Sequence, residues 1–337
     1  MDLMTWLPVA WFAVIGFGVL MYVVLDGFVL GIGILAPFAE DEEQLDLMMN
    51  TAAPIWDGNE TWLVLGGAGL MAAFPKVYAI LLSALYIPAL GLLAGLIWRG
   101  VSFEFRFKAD DAHKPFWDRA FMSGSFAAAF FQGVILGAFI EGHQIVDGVA
   151  TDGVMSWLTL FNVFCGLGVV VAYALLGATW LILKTEGPLQ ASIIRATSPI
   201  TLATVAAMLV VSIWTPMTHP TIFERWFSLP NFWFFVPVPL LVLVATWAIL
   251  RSLRGTPHAG PFVWSLVLVF LGYTGLVISI WPYVLPPSLT IWQAAAPPQS
   301  LGFALVGALF IIPFILGYSA WSYYVFRGKV KVGEGYH

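Results

Sequence analysis

Charged side chains are scarce in this 337-residue chain, where Asp, Glu, Lys and Arg together make up 10% of the residues. Soluble domains carry about 25% charged residues, so this scarcity excludes an ordinary soluble protein. Hydrophobic residues account for 60% of the chain, and the mean hydropathy is +0.90. Because the apolar stretches cover the whole length, we predict one polytopic membrane domain, 1–337, with no soluble appendage and no nucleic-acid partner.

Cysteine is almost missing, and histidine is poorly placed for metal binding. The lone Cys165 lies in an apolar run, which excludes an intrachain disulfide and a cysteine metal site. No histidine lies in the middle of an apolar segment, and no two show the i, i+4 spacing of a metal pair. The chain therefore has no good candidate for a haem axial ligand, and we predict no metal site. The five histidines are His113, His143, His219, His258 and His337; of these, His143 is expected to be solvated at the outer end of a helix, as is Glu141.

Long apolar runs are abundant. A helix needs about 20 apolar residues to cross a hydrocarbon core of about 30 Å. The first run, from near Trp6 past Leu35, is too long for the core of a signal peptide and has no basic residues before it. We predict an all-α membrane protein with two four-helix bundles, 1–141 and 158–281, and one peripheral helix, 300–326. The nine predicted spans are 7–36, 54–74, 78–99, 119–141, 158–183, 199–217, 232–250, 261–281 and 300–326.

The basic residues predict the orientation of these spans. With nine spans, twelve of the 14 lysines and arginines fall on one side, and only Lys76 and Arg225 fall on the other. The positive-inside rule makes the crowded side cytoplasmic, so the N-terminus is predicted outside and the C-terminus inside. The twelve are Arg99, Arg106, Lys108, Lys114, Arg119, Lys184, Arg195, Arg251, Arg254, Arg327, Lys329 and Lys331.

Small residues recur within the spans, as in "GFVLG" (Gly27, Gly31) and "GGAG" (66–69). Small side chains let helix backbones approach closely in a membrane. We interpret both motifs as helix-packing sites rather than as parts of a functional site.

Three carboxylates fall inside or at the mouth of predicted spans. Asp26 lies about 15 Å from the cytoplasmic end of the first span, at 1.5 Å per residue. Asp57 and Glu60 share one face of the second helix, near its cytoplasmic end. Ionisable groups in a membrane are costly and mark functional sites, proton relays among them. Asp57, Glu60 and Asp26 therefore form a candidate proton pathway that runs inward from the cytoplasm.

Asp57 and Arg99 can each be explained by a structural role instead of a functional one. Asp57 could simply cap the second helix, with Glu60 completing the capping arrangement. Arg99 is predicted to end the third helix at the inner interface, either as a snorkelling anchor or in contact with an anion or headgroup. Asp26 has no capping role that would explain it.

Three motifs carry a resemblance to a known family. "LDGFVLGIGIL" (25–35), "WDGNETWLVLGGAGLMAAFPKVYA" (56–79) and "FEFRFK" (103–108), the last with Trp117, resemble subunit II of cytochrome bd-type quinol oxidases. The nine-span layout extends the resemblance over the whole chain in outline. The resemblance points towards the cyanide-insensitive branch of the family.

The resemblance implies an activity and partners. A haem-binding subunit I would carry two b haems and one d haem, oxidise quinol and reduce O₂ to water in the bacterial inner membrane. This chain would scaffold subunit I and line its cytoplasmic proton path, to which Asp26 and Asp57 are carried over. A structural quinone in some relatives would contact Trp56 and Arg99. Membrane lipid and a small accessory subunit are further implied partners.

One departure from the family pattern affects this pathway. Many relatives read "DGFDLG", whereas this chain has Val29 in place of the second aspartate. Glu60 is the candidate replacement, since some relatives have glutamine there.

Two other functions fit the residues. A proton-coupled secondary transporter would use Asp26 and Glu60 as coupling carboxylates, although no repeat relates 1–140 to 150–285. A purely structural partner would tolerate loss of the carboxylates.

Overall fold

The backbone follows the apolar runs, because a bilayer leaves helices as the way to satisfy every backbone hydrogen bond within one segment. The computed structural model describes residues 3–146, 149–255, 259–331 and Gly333, so His258 and His337 lie outside it. The helices are α1 (Leu3–Leu35), α2 (Glu42–Asn50), α3 (Trp56–Ala73), α4 (Pro75–Ala84), α5 (Tyr86–Arg106), α6 (Lys114–Glu141), α7 (Leu160–Lys184), α8 (Gly187–Thr218), α9 (Pro220–Phe227), α10 (Asn231–Phe235), α11 (Pro237–Ser252), α12 (Gly260–Ile280), α13 (Ile291–Ala294) and α14 (Pro298–Val325).

Strands contribute little to this architecture. β1 (Ile145–Val146) pairs antiparallel with β2 (Val149–Ala150), and β3 (Tyr283–Leu285) pairs antiparallel with β4 (Leu289–Thr290). Both hairpins lie in connections between long helices. The predicted all-α membrane fold is therefore confirmed.

Eight helical spans among the described residues are long and apolar enough to cross a membrane, with α10 and α11 counted as one span. A ninth arises if α3 and α4, which meet at a bend of 119°, are taken together. This range includes the predicted nine. The orientation of the spans and the division into two bundles remain predictions.

The third span was placed wrongly. The sequence predicts it at 78–99, but residues 75–84 belong to α4, and the span itself is α5, Tyr86–Arg106. Hydropathy alone did not separate the two helices, because both are apolar. α4 instead packs against β2 and α13, in the connections at the end of the molecule where α1 begins. Because α5 ends at Arg106 rather than at Arg99, Arg99 lies seven residues, or about 10 Å, before the end of the helix.

The core lies where α7 packs on α1 and α6. A Cβ built on Gly31 of α1 would lie 1.8 Å from the carbonyl oxygen of Tyr173, and one on Gly177 of α7 would lie 2.4 Å from the carbonyl carbon of Gly31. Only glycine permits this approach, so the packing role predicted for "GFVLG" is confirmed.

Polar contacts at one end of the molecule join the connections after α1, α5, α7 and α14. Lys114 binds Glu42 at 2.8 Å, and Lys329 binds Glu186 at 3.2 Å. Asp41 caps α2, its Oδ1 accepting from Gln44 N at 2.8 Å. These contacts tie the connection after α1 to the one after α5, and the connection after α7 to the one after α14.

Candidate functional site

Arg99 of α5 brings together two of the predicted carboxylates. Its Nη2 donates to both oxygens of Asp26 on α1, at 3.0 and 2.9 Å, and to Oε1 of Glu60 on α3, at 2.7 Å. Asp26 lies nine residues from the end of α1, and Glu60 lies four residues after the start of α3. Three helices that are far apart in sequence therefore supply one ion cluster, which we call the Arg99 cluster (Asp26, Glu60, Arg99).

Burial differs among the three members of the cluster. The side chains of Asp26 and Arg99 are fully buried, whereas that of Glu60 is 28% exposed. Glu60 is thus the member of the cluster that can be reached from outside this chain. Snorkelling to the interface is wrong for Arg99, because the helix continues past it and other helices cover it.

The charges of the Arg99 cluster do not balance when both carboxylates are ionised. One guanidinium compensates one carboxylate, which leaves a formal charge of −1 on a cluster with two buried members and one partly buried member. An uncompensated buried charge is unfavourable, and a single proton on either carboxylate removes it. The arginine stays protonated under all ordinary conditions, so Asp26 and Glu60 are the two groups of the cluster that can bind and release that proton.

An amide next to Glu60 fixes the position of α1. Asn59 is buried, and its Nδ2 donates to the carbonyl oxygen of Leu25 at 2.8 Å. Its Oδ1 accepts a hydrogen bond from the hydroxyl of Tyr323 on α14, at 2.9 Å. These bonds hold the backbone beside Asp26 and bring the last helix to the cluster. The sequence analysis missed both residues, although Asn59 stands in the "WDGNETW" motif.

Trp56 covers one side of Arg99. The guanidinium carbon lies 5.5 Å from the centre of the indole, within the range of a cation–π contact. The indole of Trp56 also stacks on the ring of Phe103, with the ring centroids 5.4 Å apart. A Cβ on Gly100 would lie 3.0 Å from the indole, so the glycine makes room for it. The quinone contact carried over to Trp56 and Arg99 remains a prediction, and it needs a route to the half-buried indole because Arg99 is enclosed.

Asp57 stands apart from the cluster. It is exposed on the surface of the chain, one turn from Glu60 on α3. The capping alternative is wrong, because Ile55 is the N-cap of α3 and no side chain caps it. The role of Asp57 in a proton pathway remains a prediction.

Val29 sits one turn from Asp26 and is fully buried among apolar side chains. The position of the second aspartate of many relatives is thus part of the hydrophobic core here. Glu60, on a different helix, is the second carboxylate that reaches Arg99.

A second group of charged residues lies at the C-terminal end of α5. Arg106 is buried, and it binds Asp46 of α2 and Asp118 of α6. These pairs fasten α2 across the ends of α5 and α6. Neither pair could be predicted from the sequence, because Asp46 is 60 residues and Asp118 is 12 residues away from Arg106.

Histidine placement differs from expectation at one position. His143 was expected to be solvated, but its side chain is only 3% exposed, and its Nδ1 pairs with Asp152 Oδ2 at 2.9 Å. The connection after α6 folds over it and buries it. The described histidines, His113, His143 and His219, all lie outside the long helices. The described part of the chain brings no three His, Cys, Asp or Glu side chains together as a metal site.

Comparisons with known proteins agree over nearly the whole chain. A family model for cytochrome bd terminal oxidase subunit II matches residues 7–326. The chain is 28% identical to cytochrome bd-I ubiquinol oxidase subunit 2 of Escherichia coli K12, covering 95% of this chain and 94% of that one. It is 29% identical to cytochrome bd ubiquinol oxidase subunit 2 of Bacillus subtilis, covering 96% and 97%.

Among solved structures, the bd oxidase from Geobacillus thermodenitrificans has a similar fold. The TM-score is 0.74 over 92% of this chain and 96% of that chain, at 18% sequence identity.

Proposed function

Because the chain belongs to the cytochrome bd terminal oxidase subunit II family, we propose that its Arg99 cluster takes up protons for oxygen reduction. The chain is a subunit of a quinol oxidase, a terminal oxidoreductase of the respiratory chain, in the bacterial inner membrane. Family membership implies haem in the complex and a subunit I partner. The transporter alternative is not favoured.

The proposal also covers where the haems sit and what each subunit contributes. Two b haems and one d haem sit in subunit I, where quinol is oxidised and O₂ is reduced to water. The haems supply the electron-transfer chemistry when bound. The described histidines of this chain do not fit as axial ligands, since they lie in connections and one is paired with Asp152. This chain scaffolds subunit I and contributes the proton path.

One observation carries this proposal: two carboxylates share a single buried guanidinium nitrogen. Glu60, the partly exposed member, accepts a proton that arrives from the cytoplasmic side. Both carboxylates contact the same Nη2, so they lie within two hydrogen-bond lengths of each other. Arg99 holds them together and balances one charge, whichever carboxylate carries the proton.

Asp57 lies one turn closer to the start of α3, on the exposed side of the helix. In the proposed path it precedes Glu60, and Asp26 follows Glu60. The three groups lie at increasing distance from the helix ends that flank α2. Asp57 is one residue and Glu60 four residues after the start of α3, and Asp26 is nine residues before the end of α1.

The test is Asp26→Asn in the complete complex. Asparagine keeps the shape of the side chain and removes its proton-carrying group. We expect quinol-dependent O₂ uptake to fall about 100-fold, the lower range for a positioned proton-transfer group. The reduced-minus-oxidised haem spectrum should stay unchanged.

The matched control is Glu104→Gln, which removes an exposed carboxylate whose contact is with exposed Lys108. Its turnover should equal that of the wild type. Full turnover in Asp26→Asn would support the purely structural alternative, and loss of the haem bands would assign Asp26 to assembly.

A further inference from the structure

Two adjoining cavities open between α1 and α6, at the end of the molecule that we predict to be cytoplasmic. The first, of about 370 Å³, is mostly apolar, and the charged residue of its lining is Arg119. The second, of about 270 Å³, is lined by several carboxylates. Pro37, just after α1, and Met122 of α6 line both cavities, so the two form one continuous groove. Its size is that of a small-molecule site.

The apolar cavity runs along one face of α6. The α6 residues of its lining recur at helical spacing, at Arg119, Met122, Ser123 and Phe126. Gly33 and Ile34 of α1 form the facing wall. Phe126 is 45% exposed and stacks on Phe130 one turn further along, with the ring centroids 6.1 Å apart. An apolar strip therefore leads from Arg119 towards the middle of the membrane, as a hydrocarbon chain would.

Aromatic side chains mark the depth of Arg119 in the membrane. Trp117, two residues earlier on α6, stacks on Phe105 and lies beside Trp98, both of α5. Tryptophan collects at the level of the lipid headgroups, so Arg119 lies at headgroup depth. Its side chain is exposed, and no carboxylate among the described residues forms a salt bridge with it. A guanidinium in this position fits a phosphate group, which it can bind through two parallel hydrogen bonds.

The second cavity favours a cation. The charged residues of its lining are Asp41, Glu42, Asp111, Lys114 and Asp118. Lys114 pairs with both Glu42 and Asp111, at 2.8 and 3.3 Å, and Asp118 pairs with Arg106. The carboxylates of this cavity thus outnumber the cations that pair with them. A further anion would be repelled here, whereas an ammonium group would be attracted.

We infer that this groove binds one phospholipid of the inner leaflet whose headgroup is phosphoethanolamine. The phosphate lies against Arg119, the primary ammonium lies in the acidic cavity, and one acyl chain follows Phe126. A short linker joins the two charges of this headgroup, as Pro37 and Met122 join the two cavities. An anionic headgroup without an amine would leave the acidic cavity unpaired. The site is separate from the Arg99 cluster and does not depend on the proposed proton role.

The test is native mass spectrometry of the complete complex in mild detergent, titrated with phosphatidylethanolamine or phosphatidylglycerol. The mass of each bound lipid identifies its headgroup. We expect the wild type to prefer phosphatidylethanolamine. In Arg119→Gln the phosphate loses its guanidinium, and the affinity for phosphatidylethanolamine should fall roughly tenfold, the equivalent of one hydrogen bond to a charged group.

Arg195→Gln is the matched control. It removes an exposed arginine of α8 on the same predicted side of the membrane, and Arg195 lines neither cavity. Its lipid affinities should equal those of the wild type. Glu42→Gln tests the other half of the site. It removes a carboxylate from the acidic cavity and one partner of Lys114, so the preference for phosphatidylethanolamine over phosphatidylglycerol should decrease.

Each outcome decides one part of the inference. Equal affinities in the wild type, Arg119→Gln and Arg195→Gln would overturn the site. A wild-type preference for phosphatidylglycerol, or a preference that Glu42→Gln leaves unchanged, would overturn the headgroup assignment. An electron cryo-microscopy map identifies the occupant directly: lipid density with its head at Arg119 and a chain along Phe126 supports the site, and a protein segment in the groove refutes it.

Discussion

Removal of Arg99 is the most direct test of the buried cluster. In Arg99→Met a flexible apolar side chain replaces the guanidinium, and Asp26 is left without its cation. Breaking a buried ion pair from one side costs about 3–5 kcal/mol, because the remaining charge stays buried.

The structure decides how much of this cost applies. Asp26 is fully buried, so its pair with Arg99 counts in full. Glu60 is 28% exposed and is partly screened by solvent, so its pair adds little. We therefore expect a loss of about 3–5 kcal/mol in the free energy of unfolding, the cost of one buried pair rather than two.

The assay is an SDS titration of the purified complex, followed by tryptophan fluorescence. Lys108→Met is the matched control, since it removes an exposed i, i+4 pair with Glu104 whose nitrogen and oxygen are 3.7 Å apart. That loss should be below about 1 kcal/mol.

The double variant Arg99→Met with Asp26→Leu should recover much of the loss, because it removes the unpaired charge as well. If Arg99→Met costs no more than Lys108→Met, the guanidinium is solvated in the assembled protein, and the argument from burial is refuted.

Two further predictions concern the neighbouring helices. Glu60→Gln should slow turnover with the haem spectrum unchanged, because it removes the exposed entry to the Arg99 cluster; turnover equal to the wild type would show that Glu60 does not replace the aspartate missing at Val29. Gly31→Ala should cost about 1–3 kcal/mol or more, since its Cβ would meet the backbone of Tyr173 at 1.8 Å. Gly307→Ala on α14, where nothing lies within 4 Å, is its control, and equal unfolding midpoints for the two variants would contradict the close α1–α7 packing.

Several features could be predicted from the sequence because they depend on local composition. Runs of about 20 apolar residues predict spans wherever they occur. Asp26 stands out because a carboxylate inside such a run has few structural explanations. The spacing of Gly27 and Gly31 predicts close packing on one helix face. The motif "WDGNETW" indicates the family from local sequence alone, without any tertiary contact.

Other features depend on contacts between distant residues. The partner of Asp26 is 73 residues away, and neither hydropathy nor spacing identifies it. The sequence predicts Arg99 to be an interfacial anchor at the end of a span. This prediction is wrong because the boundary between α4 and α5 falls inside continuous apolar sequence, where hydropathy does not show which helix a residue belongs to. The burial of His143 depends on how the connection after α6 folds back, which is a property of tertiary packing.

The sequence by itself determined that this is a helical membrane protein, which residues are costly to bury, and the family to which it belongs. The tertiary structure decided that Asp26 and Glu60 share one guanidinium, that Asp57 does not join them, and that Asn59 ties the backbone beside Asp26 to Tyr323 of the last helix. The physical reason is that burial and local periodicity act along the chain, whereas charge compensation requires groups from several helices to meet in one place.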